Sequence, residues 1–578
     1  RSARKCATAP CRAMVRPGSG SAAGRCEACD EAFHIFTCMW GQVQLLRLCT
    51  LLCRNHVTLL EWLTSTGCGA STMLLSSLMC VVVPDEATIS AAICSSLAST
   101  WAALPGEVDS GGMFELLVHV NLLAGLAWSL MTGRPACEGW AASGPSIRCL
   151  FSLVFFFTAL ARLNRDYHDT GKSATVALWL STADALCARL RIPPRCVDAL
   201  GDRVWHVALR VCLLGVEVAG LAVPLLLWQG HVVPGLGLAW MFTFALASTA
   251  AFDFSCLLVA TMPFWVPPQN VLVLRWMTLA SPARLGALAV GAALLGPAML
   301  QRSGTQRNAR LASVAWLFAA HPLPYLLAST GVASLAVPSM GAQLCAGELA
   351  QQAVGASSWG FVHLVSGLTV AAAVLNGAAP YLGLKTQATW SVLSNLQVEG
   401  GVTNHMLIPA WTQIFGYAAE CVTITKSNVP LLQEQHTIVG GTSRLSVFRG
   451  FAERNCVQAG IHTGAALCGE LPEEEGDVIM PYTIPLVELR RLISAQTMPL
   501  LQEFFVEYTH CGAPHRFEVQ HGVPTKGSDS RLAEVPPWAV RKLLAFRSTA
   551  AAPHVARSSS GGGGWESSDE AQGLASAE

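Results

Sequence analysis

The chain is poor in charge. Only 13% of its 578 residues are Asp, Glu, Lys or Arg, against about a quarter in an average soluble protein. Neither sign is in excess, since 37 basic and 37 acidic residues cancel. A nucleic-acid partner is therefore not expected, because no basic field would gather one. No His-Glu-x-x-His and no Gly-x-Ser-x-Gly occurs, which leaves zinc-peptidase and hydrolase-fold readings without support. Gly171-Lys172-Ser173 suggests a phosphate loop, but Asp166 stands where its first glycine belongs. There is also no initiating Met and no secretory signal at Arg1, so the chain is expected to be cut from something longer.

What is abundant is apolar. Hydrophobic residues make up 52% and the mean hydropathy is +0.44. So few charges cannot cover that much apolar surface in water, which points to a polytopic membrane protein. The 21 cysteines are an odd number, many in apolar stretches; they read as small buried apolar residues rather than a disulfide framework. Charge divides the chain. Between Val204 and Leu384 there are nine charged residues, and between Lys385 and Glu578 there are 33.

Stretches able to cross about 30 Å of hydrocarbon as helices lie near 113–131, 205–228, 235–262, 272–300, 311–337 and 359–384, with weaker ones at 69–83, 87–104 and 149–163. The total is seven to nine. Residues 175–192 have the spacing of a helix lying along the membrane surface. Arg189, Arg191, Arg195 and Arg203 mark one cytoplasmic loop, and Arg302, Arg307 and Arg310 another. Three spans fall between them, so one of the three is expected to be re-entrant or not a crossing.

The expected organisation is a Cys-rich segment at 1–68, a multi-pass region at 69–384, a small α+β domain at 385–548, and a Ser/Gly/Ala-rich disordered tail at 549–578. In the α+β part, 421–425, 436–439 and 444–448 read as strands, and 409–420 and 486–505 as helices.

Four positions have zinc-like chemistry and spacing: Cys26, Cys29, His34 and Cys38, in C-x2-C-x4-H-x3-C. His510, Cys511 and His515 form a looser set. Cys468, in Gly464-Ala-Ala-Leu-Cys-Gly469, has small neighbours and a following glycine whose N–H suits an oxyanion. A nucleophilic thiol needs a base and an orienting acid. The candidate base is His405, in Asn404-His-Met-Leu-Ile-Pro409, and the acid is Glu434 or Glu420, with Glu434 preferred. Asp253 and His363 lie in apolar spans, where ionisable groups often line polar paths. They support a rival reading, a non-enzymatic membrane scaffold or small-ion channel. A cellular transporter fragment is a third reading; repeat symmetry is weak.

Phe264-Trp-Val-Pro-Pro-Gln-Asn-Val271, Leu295-Gly-Pro-Ala-Met-Leu-Gln301, the His405 motif and Ala465-Ala-Leu-Cys-Gly-Glu-Leu-Pro472 occur in an order that resembles non-structural protein 2 of hepaciviruses and pegiviruses. The resemblance covers about residues 264–500. It implies a multi-pass protein of the host endoplasmic reticulum membrane with a cytosolic cysteine autoprotease domain, so the fold class expected is a polytopic α-helical membrane region followed by a small α+β cysteine-protease domain. It further implies a homodimer that cuts the polyprotein once, at the junction with the next non-structural protein, and a link to zinc. The roles carried over are His405 as base, Cys468 as nucleophile and Glu434 as the group orienting His405. Where the family's glutamate is followed by proline, Gln435 follows Glu434 here and Cys421 follows Glu420.

Overall fold

The computed structural model describes residues 20–54, 68–102, 110–170 with parts of 173–180, 201–247, 252–265, 360–429 apart from four positions, 432, 482–496, 503–533 and scattered positions to 550. Helices α1 (Gly20–Arg54), α2 (Cys68–Val82), α3 (Glu86–Ala102), α4 (Ser110–Thr132), α5 (Ala136–Arg162), α6 (Gly201–Trp228), α7 (Val232–Ala247), α8 (Phe252–Thr261) and α9 (Gly360–Ala378) form a bundle. Among the described residues four helices are long and apolar enough to cross a membrane: α4, α5, most of α6, and α9. The spans expected at 272–300 and 311–337 lie outside the described residues.

The helices differ from the sequence expectation in three informative ways. The short candidate at 149–163 is the second half of α5, which runs through Pro145 and tolerates Glu138 and Arg148. Within the run at 235–262 the described residues form α7 and α8, of 16 and 10 residues, and 248–251 between them lie outside the described residues.

The third difference is α1, a 35-residue helix where a Cys-rich segment was expected. Its Phe33, Phe36, Met39, Trp40 and Val43 are buried in the main core of the bundle. Phe264 stacks on Trp140 at 4.6 Å and meets Phe36 edge-on at 5.0 Å. The Phe264-Trp265 pair of the Trp-Val-Pro-Pro element is thus a packing plug between α1 and α5.

Spans α4 and α5 cross closely at Gly125 and Gly139, where a side chain on either would meet the other's carbonyl. Asn121 joins three spans. Its Nδ2 donates to Thr369 Oγ1 of α9 at 2.8 Å, and its carbonyl accepts from Ser143 Oγ of α5 at 2.9 Å. Small residues and hydroxyls are the usual means of holding helices together where lipid competes for apolar contact.

The second unit is a six-stranded antiparallel sheet of β1 (Cys421–Ser427), β2 (Tyr482–Pro485), β3 (Phe504–His510), β4 (Ala513–Gln520), β5 (Val523–Pro524) and β6 (Thr549–Ala550), in the order β5-β4-β3-β1-β2-β6. Helix α10 (Leu486–Gln496) covers it, with Leu489, Leu492 and Ile493 in the same core as Val422, Ile424, Val506 and Phe517. The helix expected at 486–505 thus ends at Gln496, and Phe504 and Phe505 belong to β3. The strand at 421–425 is present, and those at 436–439 and 444–448 lie outside the described residues.

Gly139→Val puts a branched side chain into the α4–α5 crossing. It should cost about 1–3 kcal/mol and lower the thermal midpoint of the detergent-solubilised chain. Gly215→Ala, made in α6 where nothing stands within 4 Å of the new carbon, should leave that midpoint unchanged or raise it.

Candidate functional site

Residues 379–418 leave α9 and fold back over the end of the bundle. Tyr381, Leu396 and Val398 bury against Ala161 at the end of α5, and Trp390 joins the main bundle core. Although charge density changes near Lys385, the packing keeps this stretch with the helical bundle. The helix expected over 409–420 does not form. Pro409 is extended (φ −78°, ψ 160°), only Ala410–Thr412 makes a 3-10 turn, and Gly416 takes φ +61°, a left-handed conformation that ends helical continuation.

His405 lies at the centre of this fold-back. Its ring Nδ1 is 3.0 Å from the Leu407 N–H donor and 2.9 Å from that of Ile408. Nδ1 must accept both bonds, so the ring proton is on Nε2, which donates to the Leu160 carbonyl at 2.9 Å. Around it, Met406 N donates to Leu163 O at 2.9 Å, and Asn404 Nδ2 donates to Asp166 Oδ2 at 2.7 Å. Tyr381 packs edge-on at 5.3 Å. Burial lowers the His405 pKa below the ordinary 6.5 and keeps the ring neutral. As placed, both ring nitrogens are bonded to backbone groups.

The other two members of the expected triad, Glu434 and Cys468, lie outside the described residues. Glu420 is at the start of β1, and its carboxylate pairs with His510 Nε2 at 3.1 Å rather than with His405. The neighbouring thiol, Cys421, is pushed up to about 12 by burial, which leaves it a poor nucleophile.

Of the four zinc candidates, the three whose side chains are described, Cys29, His34 and Cys38, have separate partners. Cys26, Cys29, His34 and Cys38 lie along the single helix α1, and twelve residues separate the first from the last, about 18 Å at 1.5 Å per residue. Cys29 Sγ donates to the Cys137 carbonyl and Cys38 Sγ to that of Val81. The His34 ring faces Asp30 at 4.0 Å. Among the described residues no group of three or more His, Cys, Asp or Glu side chains is gathered to hold a metal. The looser set is bound up in ionic contacts instead. Arg531 Nη1 donates to His510 Nδ1 at 2.9 Å, and His515 Nδ1 lies 3.3 Å from Asp529 Oδ2. Arg531 and Tyr508 both donate to Asp529, whose carboxyl is held well below the usual carboxylate range, chiefly by Arg531.

One constellation was missed from sequence. Glu115 of α4 is buried in the bundle, and its Oε1 accepts from Gln44 Nε2 at 2.5 Å and from Ser96 Oγ at 2.9 Å. Arg47 donates to Oε2. One turn on, His119 lies 3.7 Å from the same carboxylate and accepts from Trp40 Nε1 at 3.0 Å. The available signal was Glu115-x-x-x-His119 inside an otherwise apolar span. His363, by contrast, is on an exposed face of α9.

Glu115→Leu leaves Arg47 facing an apolar site and should cost about 3 kcal/mol. Pairing it with Arg47→Met should recover most of that loss, as read by thermal midpoints in detergent. The His405 turn carries a pH signature. Its folded pKa lies below the unfolded value, so its contribution is fully present above pH 6.5 and is lost as pH falls through the folded value. Amide exchange at Leu407 and Ile408, corrected for intrinsic rates, should accelerate below pH 6.5, and His405→Gln should remove that dependence.

No family model matches the chain, and neither a curated protein nor a solved structure does.

Proposed function

We propose that this chain is a membrane-embedded scaffold, in which the helical bundle carries the α+β unit on a stiff shelf made by residues 379–418. The observation that carries this reading is the His405 turn. One imidazole ties the shelf to the end of α5 through Leu160 and closes its own loop through Leu407 and Ile408. Buried polar groups satisfied on every side rigidify the segment they join.

A finer reading makes the α+β unit a cysteine autoprotease of the non-structural protein 2 kind, dimeric, at the host endoplasmic reticulum membrane. It rests on the motif resemblance, and the state of His405 favours it in one respect. The neutral ring keeps its lone pair on Nδ1, and the Nε2–H is already oriented by a backbone oxygen. In this reading the Leu407 and Ile408 amides give way and Nδ1 takes the Cys468 proton. The thiolate attacks the scissile carbonyl, the imidazolium returns the proton to the leaving amine, and water hydrolyses the thioester. Glu434, or Glu420 released from His510, would hold the imidazolium.

The two readings separate on Cys468→Ala, made in the parent polyprotein expressed in cells. The autoprotease reading expects the junction after this chain to stay uncut, with membrane integration unchanged. Unaltered processing removes Cys468 from any mechanism and leaves the scaffold alone.

A further inference from the structure

Residues 400–419 contain no Asp, Glu, Lys or Arg, yet they expose a run of large apolar side chains. Trp411 is 80% exposed, Ile414 72% and Leu407 69%, with Val402, Met406 and Phe415 each about half exposed or more. Solvated loops are not built this way. The neighbouring β3–β4 hairpin instead presents Glu507, Arg516 and Glu518, paired with one another.

Position identifies the occupant. Met406 and Asn404 are bonded to Leu163 and Arg165, at the end of span α5. Thr412 Oγ1 donates to the Tyr381 carbonyl at 3.0 Å, and Phe415 N to that of Leu382 at 3.2 Å, just past the end of span α9. The loop is therefore pinned at the level where two spans leave the hydrocarbon. Trp and Tyr concentrate at that depth because their rings are apolar and their N–H or O–H remains hydrated. This loop carries Trp411 and Tyr417 there, beside uncharged Thr and Gln.

We propose that residues 402–417 insert into the interfacial layer of the lipid bilayer, with Trp411 and Ile414 at the tip, so that the shelf beneath the α+β unit is itself a membrane-binding element. The occupant is lipid rather than a second copy of the chain or a peptide, because the loop is hydrogen-bonded just past the ends of two helices long and apolar enough to cross a bilayer. The inference rests on the bundle spanning the bilayer, so the test reads that separately.

A photoreactive benzoylphenylalanine is placed in the full chain at Trp411, Ile414, Leu368 or Lys526, each in phosphatidylcholine vesicles, and adducts are identified by mass after irradiation. Leu368 is an exposed position of span α9, and Lys526 an exposed position of the sheet unit. Lipid adducts at 411 and 414 comparable to those at 368, and none at 526, are expected. Labelling at 368 without lipid adducts at 411 and 414, or crosslinks from 411 and 414 to a second copy, overturns the insertion while leaving the scaffold intact. Absence of lipid adducts at 368 as well overturns the spanning bundle and the insertion together.

Discussion

A carboxylate sealed inside apolar helices must find its hydrogen bonds there or forgo its charge, and the bundle is arranged around that constraint at Glu115. Its donors come from two other helices: Gln44 and Arg47 of α1, and Ser96 of α3. Apolar contact between helices in lipid is nearly indifferent to rotation and sliding. Three directional bonds on one carboxylate are not, so they set the register of α1 and α3 against α4. Six residues further along α4, Asn121 does the same for α5 and α9 through Ser143 and Thr369. One helix thereby indexes both sides of the bundle.

The shelf extends that logic past the last span. Residues 379–418 are short of regular hydrogen-bond ladders, so their backbone groups are satisfied by side chains and by the bundle end. Asn164 Nδ2 caps Ser394 O at 2.5 Å, Asn404 Oδ1 accepts from Gln397 N at 2.9 Å, and His405 accepts two amides. Such a segment is rigid without being regular. It leads directly into β1, and Glu420 O, accepting from Leu486 N at 2.8 Å, brings β1 and α10 together there.

Much of the bundle was legible in the sequence because a long apolar helix leaves an uninterrupted record: 113–131 and 205–228 fall within α4 and α6. The start of α5 was not, because Glu138, Pro145 and Arg148 interrupt the apolar run while intrahelical bonding continues. Helix α1 was not read as a helix for a related reason. Its cysteines and histidine stood out as ligands, whereas Phe33, Phe36 and Trp40 on the same helix record its burial. At 409–420 the proline looked like a helix start, yet the glycine at 416 and the bonds to Tyr381 and Leu382 decide the loop. His405 stood out in the sequence as a candidate base, whereas its partner Leu160 is far away in sequence and no local pattern could name it. Glu434 and Cys468 lie beyond the described residues, so the chemistry assigned to them rests on motif order alone.

The strand order also has a consequence for how the chain acquires its shape. The first strand to leave the shelf, β1, is central, pairing Cys421 with Pro485 on one side and Thr423 with Thr509 on the other. Neither neighbour exists until a long stretch of later chain has left the ribosome. The helical hairpins form from contacts close in sequence, whereas this sheet must close large loops before its pairing is rewarded. Its folding therefore trails that of the bundle, and β1 waits with both edges open while the helical part is already complete.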